Sequence, residues 1–295
     1  MTPKTQGYLF TILAVIIFAS QDGISKYLSS HYSPVFITMI RYWAFAFFVI
    51  FLAMRSGGIA KTARTKRPAL QIFRGVVLAV EIVIFIYGLS RAGMAMAQSV
   101  FQCAPLLVTV LSVVFLGEKV GWRRWTAIIV GLGGVILIIN PVNAHFDANI
   151  LFSLAATSMF AAYAVATRAV SKYDDATTSF FYTGISGVVV LTAVGMFYIV
   201  PVARPDWFWM AALCICGIAS HYCLIRAYAV LEAGEVQPLT YLQLVIGAFI
   251  ATLVFHENLT WNVVAGAAIV VAAGLFSMFR ERYLALRRTT SATMP

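Results

Sequence analysis

A carboxylate, an imidazole, a guanidinium and several amides and phenols stand inside stretches of this chain that are otherwise apolar. They are Glu81, His221, Arg41, Gln21, Gln98, Gln102, Gln243, Tyr163, Tyr222 and Tyr241. In an apolar medium such groups are expensive; a charge at mid-depth of a membrane helix costs on the order of 2.5–3.5 kcal/mol on insertion scales. The chemistry open to them is recognition and proton exchange. Glu81 can bind an amine or take up a proton, an imidazole such as His221 titrates near neutral pH, and Arg41 can grip a carboxylate through two parallel bonds. A structural use competes at each position. Glu81 can stay protonated and hydrogen-bonded, His221 can bond a neighbouring helix, and Arg41 can snorkel beside the interfacial pair Tyr42 and Trp43. Catalysis is not expected. The four histidines (His31, His145, His221, His256) are scattered, and the four cysteines (Cys103, Cys214, Cys216, Cys223) lie in apolar stretches without metal-ligand or redox spacing. No cofactor and no metal is expected, and the absence of a G-x-x-x-x-G-K-[ST] loop excludes ATP drive within this sequence.

The elements that carry these residues follow from composition. Hydrophobic residues make up 61% and charged residues 11%, against roughly half and a quarter in soluble domains. That excess must face lipid. A net charge of +10 would suggest nucleic acid in a soluble protein, but here the basic residues fall between apolar runs, so no nucleic-acid partner is expected. Ten runs approach the roughly 20 apolar residues a spanning helix needs: about 8–28, 34–54, 70–90, 95–115, 123–140, 149–170, 177–199, 207–228, 237–256 and 262–280. The first is read as a retained helix, being long for a signal peptide and without a cleavage site. Pro34, Pro68, Pro141, Pro201, Pro205 and Pro238 sit near predicted ends, where a missing amide hydrogen costs little. Pro105 falls inside the fourth run and should kink it. Trp122, Trp125, Trp207, Trp209 and Trp261 read as an interfacial belt.

The chain also repeats itself. Leu9–Lys26 matches Leu151–Arg168 at one offset: Phe10, Ala14, Phe18 and Ala19 meet Phe152, Ala156, Phe160 and Ala161, and Lys26 meets Arg168. Glu118-Lys-Val-Gly-Trp122 echoes Glu257-Asn-Leu-Thr-Trp261. With the N-terminus inside, 17 of the lysines and arginines fall in inner segments, and only Lys26, Arg41, Arg91 and Arg204 fall outside, the bias the positive-inside rule requires. Five helices per copy is odd, so the second copy enters from the opposite side. The expected fold is therefore all-α and integral to the membrane: ten helices as two inverted five-helix repeats, 1–141 and 142–295, around a central cavity. Dense small residues in the fifth and tenth runs (Gly131, Gly133, Gly134, Gly266, Gly274) read as close helix packing, with a dimer face as the alternative.

Overlaying the copies gives a candidate cavity. Gln21 meets Tyr163, Glu81 meets Tyr222 beside His221, and Gln98 and Gln102 meet Gln237 and Tyr241, with Gln243 nearby. One wall would offer amides and a carboxylate and the other aromatic rings, which suits a zwitterionic, partly apolar substrate. Glu118 and Glu257, in loops between paired helices, read as caps or ion pairs rather than gates, and the Arg280–Arg288 tail as an orientation signal that also touches anionic lipid.

The two five-helix copies, Pro105 with the later Phe-Leu-Gly-Glu118, and a glycine-rich following helix resemble the drug/metabolite transporter superfamily, within it the EamA-type exporters, and more narrowly the YddG-type amino-acid exporters. The second copy departs from the pattern: Val-Phe-His-Glu257 lacks the glycine, and Leu244 stands where Pro105 would be. The resemblance implies a bacterial inner-membrane secondary transporter with both termini cytoplasmic. It would export small metabolites, amino acids foremost (aromatic or other neutral), by alternating access, with membrane lipid as its other partner and a monomer or homodimer as its assembly. A broad efflux pump for lipophilic cations or drugs is the alternative. A lipid-modifying enzyme or a receptor fits less well, for want of clustered acid–base residues or a signalling domain.

Overall fold

Without water to satisfy backbone amides, a chain this apolar is restricted to helices or closed barrels, and the described residues form helices. The computed structural model describes residues 2–117, 120–140, 147–228, 230–231, 236 and 239–292, apart from the side chains at 225, 228, 278 and 280–292. Expectations on Glu118, Pro141, His145, Gln237 and Pro238, and on the side chains of the Arg280–Arg288 tail, lie outside the described residues.

The helices are α1 (Pro3–Ser29), α2 (Pro34–Arg55), the single turn α3 (Ile59–Thr62), α4 (Pro68–Arg91), α5 (Met94–Phe101), α6 (Ala104–Leu116), α7 (Trp122–Ile139), α8 (Ile150–Val170), α9 (Ala176–Gly195), α10 (Asp206–Tyr228), α11 (Leu242–Leu253) and α12 (Trp261–Ala292). Their starts are written in the sequence. Pro3, Pro34 and Pro68 open helices, and the side chains of Thr2, Ser33 and Asp175 accept hydrogen bonds from first-turn amides of α1, α2 and α9. Among the described residues, eight segments are long and apolar enough to cross a membrane, α5 with α6 counting as one, and 242–253 and 261–277 are shorter apolar stretches of α11 and α12.

Pro105 breaks its helix as expected: α5 ends at Phe101 and α6 starts at Ala104 with proline in its first turn. Proline is not required for such a break. Near the equivalent point later in the chain, where Leu244 stands in its place, residues 239–240 are helical, Tyr241 is a turn and α11 begins at Leu242.

The main packing partners join the two halves of the chain. α1 lies on α10 and α11, α2 on α9 and α10, α4 on α8 and α9, α5 and α6 on α8, and α7 on α12. The small residues serve the last of these pairs. A Cβ on Gly134 would stand 2.9 Å from the Gly266 carbonyl, and one on Gly266 2.6 Å from the Gly134 carbonyl, so the two backbones approach too closely for any side chain between them. Trp122, Trp125, Trp207, Trp209 and Trp261 are exposed, as a belt should be, and Trp43 is exposed while donating to Thr192 Oγ1 at 2.9 Å.

Candidate functional site

A cavity of about 420 Å³ lies between α2, α4, α8, α9 and α10. Its volume is within the roughly 300–1,000 Å³ typical of small-molecule sites. At its deep end are Arg41 and Tyr42 of α2 and Cys214, Gly217 and His221 of α10; its walls carry Phe45, Tyr163 and Phe180; it reaches Ser171, Asp174 and Asp175 in the loop that joins α8 to α9. Ser171 and Asp175 are exposed, so the cavity opens at that end.

Arg41 is the one guanidinium at the deep end. No hydrogen bond or ion pair from the described residues holds it, although it lies in the electrostatic field of Asp22 and Glu81. Rings surround the space in front of it. His221 makes edge contacts with Phe18 at 5.4 Å and Phe180 at 6.5 Å between centroids and a tilted one with Phe45 at 6.0 Å, and Tyr42 meets Phe45 at 6.0 Å. An unpaired cation facing aromatic walls can take a carboxylate and stack the planar group attached to it.

Arg74 shapes the middle of the cavity differently. Its side chain is fully buried and saturated with acceptors: Nε donates to Gln71 Oε1 at 2.8 Å, Nη1 to Thr167 Oγ1 at 2.9 Å, and Nη2 to Thr183 Oγ1 at 2.6 Å and to the Ser179 carbonyl. It also lies 5.6 Å from the Tyr163 ring centre. Gln71 passes the network on, donating to Asp174 Oδ2 at 2.9 Å, while Thr65 and the Lys66 amide also donate to Asp174. Burial pushes the Asp174 carboxyl up, but the hydrogen bonds from Thr65, Gln71 and Lys66 outweigh it and hold the group below the usual carboxylate range.

A second buried centre sits behind the deep end. Asp22 Oδ2 accepts from Gln98 Nε2 and Gln243 Nε2, both at 2.9 Å, which ties α1 to α5 and α11. Glu81 and Gln21 are buried nearby on α4 and α1. The Gln21 oxygen has no partner among the described residues and faces Gly217, against which Arg41 also lies.

The opposite end is tied together by charge. Lys26 pairs with Glu257, whose carboxylate also accepts from the Met94 amide at 2.8 Å and the Ala95 amide at 3.1 Å at the start of α5. Gly93, with φ +94°, delivers those amides; its missing Cβ would stand 3.2 Å from the carboxylate. Lys26 also lies over the Phe255 ring at 4.6 Å. Alongside, Asp206 accepts from Tyr32 at 2.7 Å and Tyr27 at 3.2 Å, and Tyr32 accepts from the Ala203 amide at 3.0 Å. Glu257 is thus an ion-paired cap of α5 that spans the two halves, a placement in which one group can serve both as a cap and as a latch.

Of the ten residues expected at a site, Arg41, Tyr163 and His221 line the cavity. Gln21 and Glu81 sit behind it, and Gln98 and Gln243 hold Asp22. Three lie elsewhere. Gln102 caps α5 at the Pro105 break. Tyr241 is buried with its hydroxyl against Gly274 of α12. Tyr222 is 49% exposed on the outside of the bundle, because consecutive helical residues point about 100° apart, so His221 and Tyr222 cannot share a face. Of the described residues matched between the copies, Tyr163 alone lines this cavity. Asp22, Arg74, Phe45 and Phe180 were missed. Asp22 carried the same signal as Glu81, a carboxylate inside an apolar run, whereas Arg74 was hidden among loop cations that orient the chain.

Comparison with known proteins finds membrane transporters. The profile of the EamA-like transporter family matches residues 5–140 and again 148–279. The chain is 26% identical over 279 residues to the S-adenosylmethionine uptake transporter of Rickettsia prowazekii (strain Madrid E), covering 94% of this chain and 93% of that one. It is 24% identical over 282 residues to the riboflavin transporter of Vibrio cholerae serotype O1, covering 92% of each. It is 24% identical over 269 residues to the pseudopaline exporter of Pseudomonas aeruginosa (strain UCBPP-PA14), covering 90% of this chain and 94% of that one.

Proposed function

The chain belongs to the EamA-like transporter family, a multi-pass membrane protein and secondary transporter, and from that premise we propose that it carries an amino-acid-type zwitterion bearing a planar ring. The observation that carries this reading is the unpaired Arg41 at the deep end of an aromatic cavity. Arg41 takes the carboxylate, the rings of Phe45, Tyr163, Phe180 and His221 take the planar group, and the carboxyl oxygens of Glu81 and Asp22 behind act as acceptors for the amino group. Aromatic amino acids have this shape. S-adenosylmethionine, the cargo named for the Rickettsia relative, shares the amino-acid end and a planar ring, while its sulfonium adds a positive charge that must lie away from Arg41. A lipophilic cation is a poorer fit: beside Arg41 at about 5 Å it would meet a repulsion of roughly 3 kcal/mol at an effective dielectric of 20.

The transport cycle we infer is alternating access by two inverted halves across the bacterial inner membrane, both termini cytoplasmic. Two observations support it. The family profile matches the chain twice, and the helix pairings fall into sets that a two-fold axis exchanges: α1 on α10 with α4 on α8, and α1 on α11 with α6 on α8, while α2–α9 and α7–α12 map onto themselves. The loop basic residues, including Lys61, Arg64, Lys66, Arg67 and Lys172, support a cytoplasmic cavity mouth by the positive-inside rule. In that state the site loads from the cytoplasm, so we assign export. Uptake is the second reading, favoured by the relatedness to the S-adenosylmethionine uptake transporter.

Proteoliposomes of known protein orientation, given labelled phenylalanine, tryptophan, S-adenosylmethionine, riboflavin and a lipophilic dye, test cargo and direction together. The expected result is competition among the first three, with KM raised at least tenfold by Arg41→Lys, since an ammonium keeps the charge and loses the two-pronged grip. Dye transport insensitive to Arg41→Lys would refute the cargo assignment. Imposing a pH gradient in the same vesicles tests Glu81: wild-type gradient dependence should be lost in Glu81→Gln if that carboxylate carries a coupled proton.

A further inference from the structure

Beyond its cargo, the chain carries a second concave site outside the cavity. A groove of about 610 Å³ runs between the first turn of α4, the end of α6 and the end of α8. Its rim holds Lys66, Arg67 and Lys172; its floor is Pro68, Leu70, Phe115, Leu116 and Ala169, with Tyr173 at the side. The Arg67 guanidinium stacks over the Tyr173 ring at 4.8 Å, which keeps the cation at the boundary between polar rim and apolar floor. Phe115 is 72% exposed near the end of the apolar helix α6.

We propose that this groove binds one anionic phospholipid, with its phosphate among Lys66, Arg67 and Lys172 and an acyl chain along Leu70, Phe115 and Leu116. Charge complementarity decides the head group. Asp174 accepts from Thr65, Gln71 and the Lys66 amide and also attracts the Lys66 ammonium; one carboxylate against three rim cations leaves the rim net positive for an anionic head group. The continuous apolar floor selects a lipid over free phosphate, because inorganic phosphate would leave it bare. Basic pockets between helices at the membrane surface are a recurrent form of lipid site.

The position gives the lipid a consequence. The loop 171–175 stands between groove and cavity: Ser171, Asp174 and Asp175 line the cavity, while Lys172 and Tyr173 line the groove. A head group bound to Lys172 and beside Tyr173 braces the mouth of the transport cavity from its outer side.

The test uses purified full-length protein in a neutral detergent, with thermal stability measured while phosphatidylglycerol, phosphatidylcholine or inorganic phosphate is added. Phosphatidylglycerol should raise the melting temperature saturably, and the other two should not. The triple variant Lys66→Gln, Arg67→Gln, Lys172→Gln should need about a hundredfold more phosphatidylglycerol for half its effect, at roughly fivefold per charge. A control with Arg55→Gln, Lys61→Gln and Arg64→Gln removes equal charge at the same end and should respond like wild type. Because the readout is the lipid-dependent increment, a lower starting stability of either variant does not obscure it. The proposal is overturned if the groove variant keeps the wild-type response, if the control loses it equally, or if phosphatidylcholine or phosphate alone does as well.

Discussion

At one end of the bundle Lys26, Glu257 and the amides of Met94 and Ala95 form a closed set of mutually satisfied charges; at the other, Arg74, Gln71 and Asp174 form an equally satisfied network around an opening. Both networks join the two halves of the chain, so bridging alone does not close a path. The difference lies in position. The Glu257 carboxylate sits on the N-terminus of α5, where amides without intrahelical partners and the helix dipole concentrate positive charge, and it draws a loop of the second half over α1. Arg74 lies inside α4 and bonds laterally to α8 and α9, which fixes a wall and leaves the mouth free. A latch placed on a helix end can let go as one unit; a buried lateral network cannot. The closed end is therefore the part expected to move.

The largest effect should come from Glu257→Ala. It strands Lys26 and two amides, a loss of roughly 3 kcal/mol when a charged acceptor of several bonds is removed, or about a hundredfold in the balance between closed and open. Cys214 at the deep end of the cavity reports it. In a variant with Cys103, Cys216 and Cys223 changed to serine, a membrane-impermeant maleimide should label Cys214 from the mouth in the parent and from both sides after Glu257→Ala. Labelling confined to the mouth in both would show that the latch is not what closes that end.

Next in size, Tyr163→Ala should raise KM for a ring-bearing cargo about tenfold by removing one aromatic wall, whereas Tyr222→Ala should leave it within about twofold; equal effects would refute the placement of these two rings. Asp206→Asn keeps an acceptor for Tyr27 and Tyr32 but weakens charge-assisted bonds, for about 1 kcal/mol in all. The expected result is a smaller rise in closed-end labelling than with Glu257→Ala, and a rise as large would make Asp206 the principal latch. The smallest effect belongs to the open end. The Asp174 carboxyl is held below its usual range by its three donors, so its contribution to stability is present above the unfolded-state value of about 3.9 and is lost as pH falls through the folded value. The stability gap between wild type and Asp174→Asn should be constant near neutral pH and close on acidification; a gap that widened in acid would reverse the assignment.

How much of this was readable from the chain can be judged residue by residue. Helix starts at Pro34 and Pro68, the break at Pro105 and the exposed tryptophans rest on local chemistry, and each stands where the sequence put it. Arg41, Tyr163 and His221 were found because a polar group inside an apolar run is conspicuous at any rotation of its helix. Tyr222 and Tyr241 were misplaced because matching positions between copies sets the depth of a residue but leaves its azimuth open. A single step along a helix turns a side chain by about 100°, enough to carry it from cavity to lipid.

The amino-acid sequence by itself determined that this chain lives in a membrane, where its helices start and break, and which few polar groups had to be buried. Those outcomes depend on solvation and on backbone geometry within a few residues. Tertiary structure alone decided that Arg41 has no hydrogen-bond or ion-pair partner among the described residues and stands before aromatic rings, that Arg74 is spent on the wall, that Asp22 joins Gln98 to Gln243, and that Glu257 reaches Lys26 across 231 positions. Each depends on how two helices rotate against one another, and that is fixed by the sum of many contacts along both, which no single stretch of sequence contains.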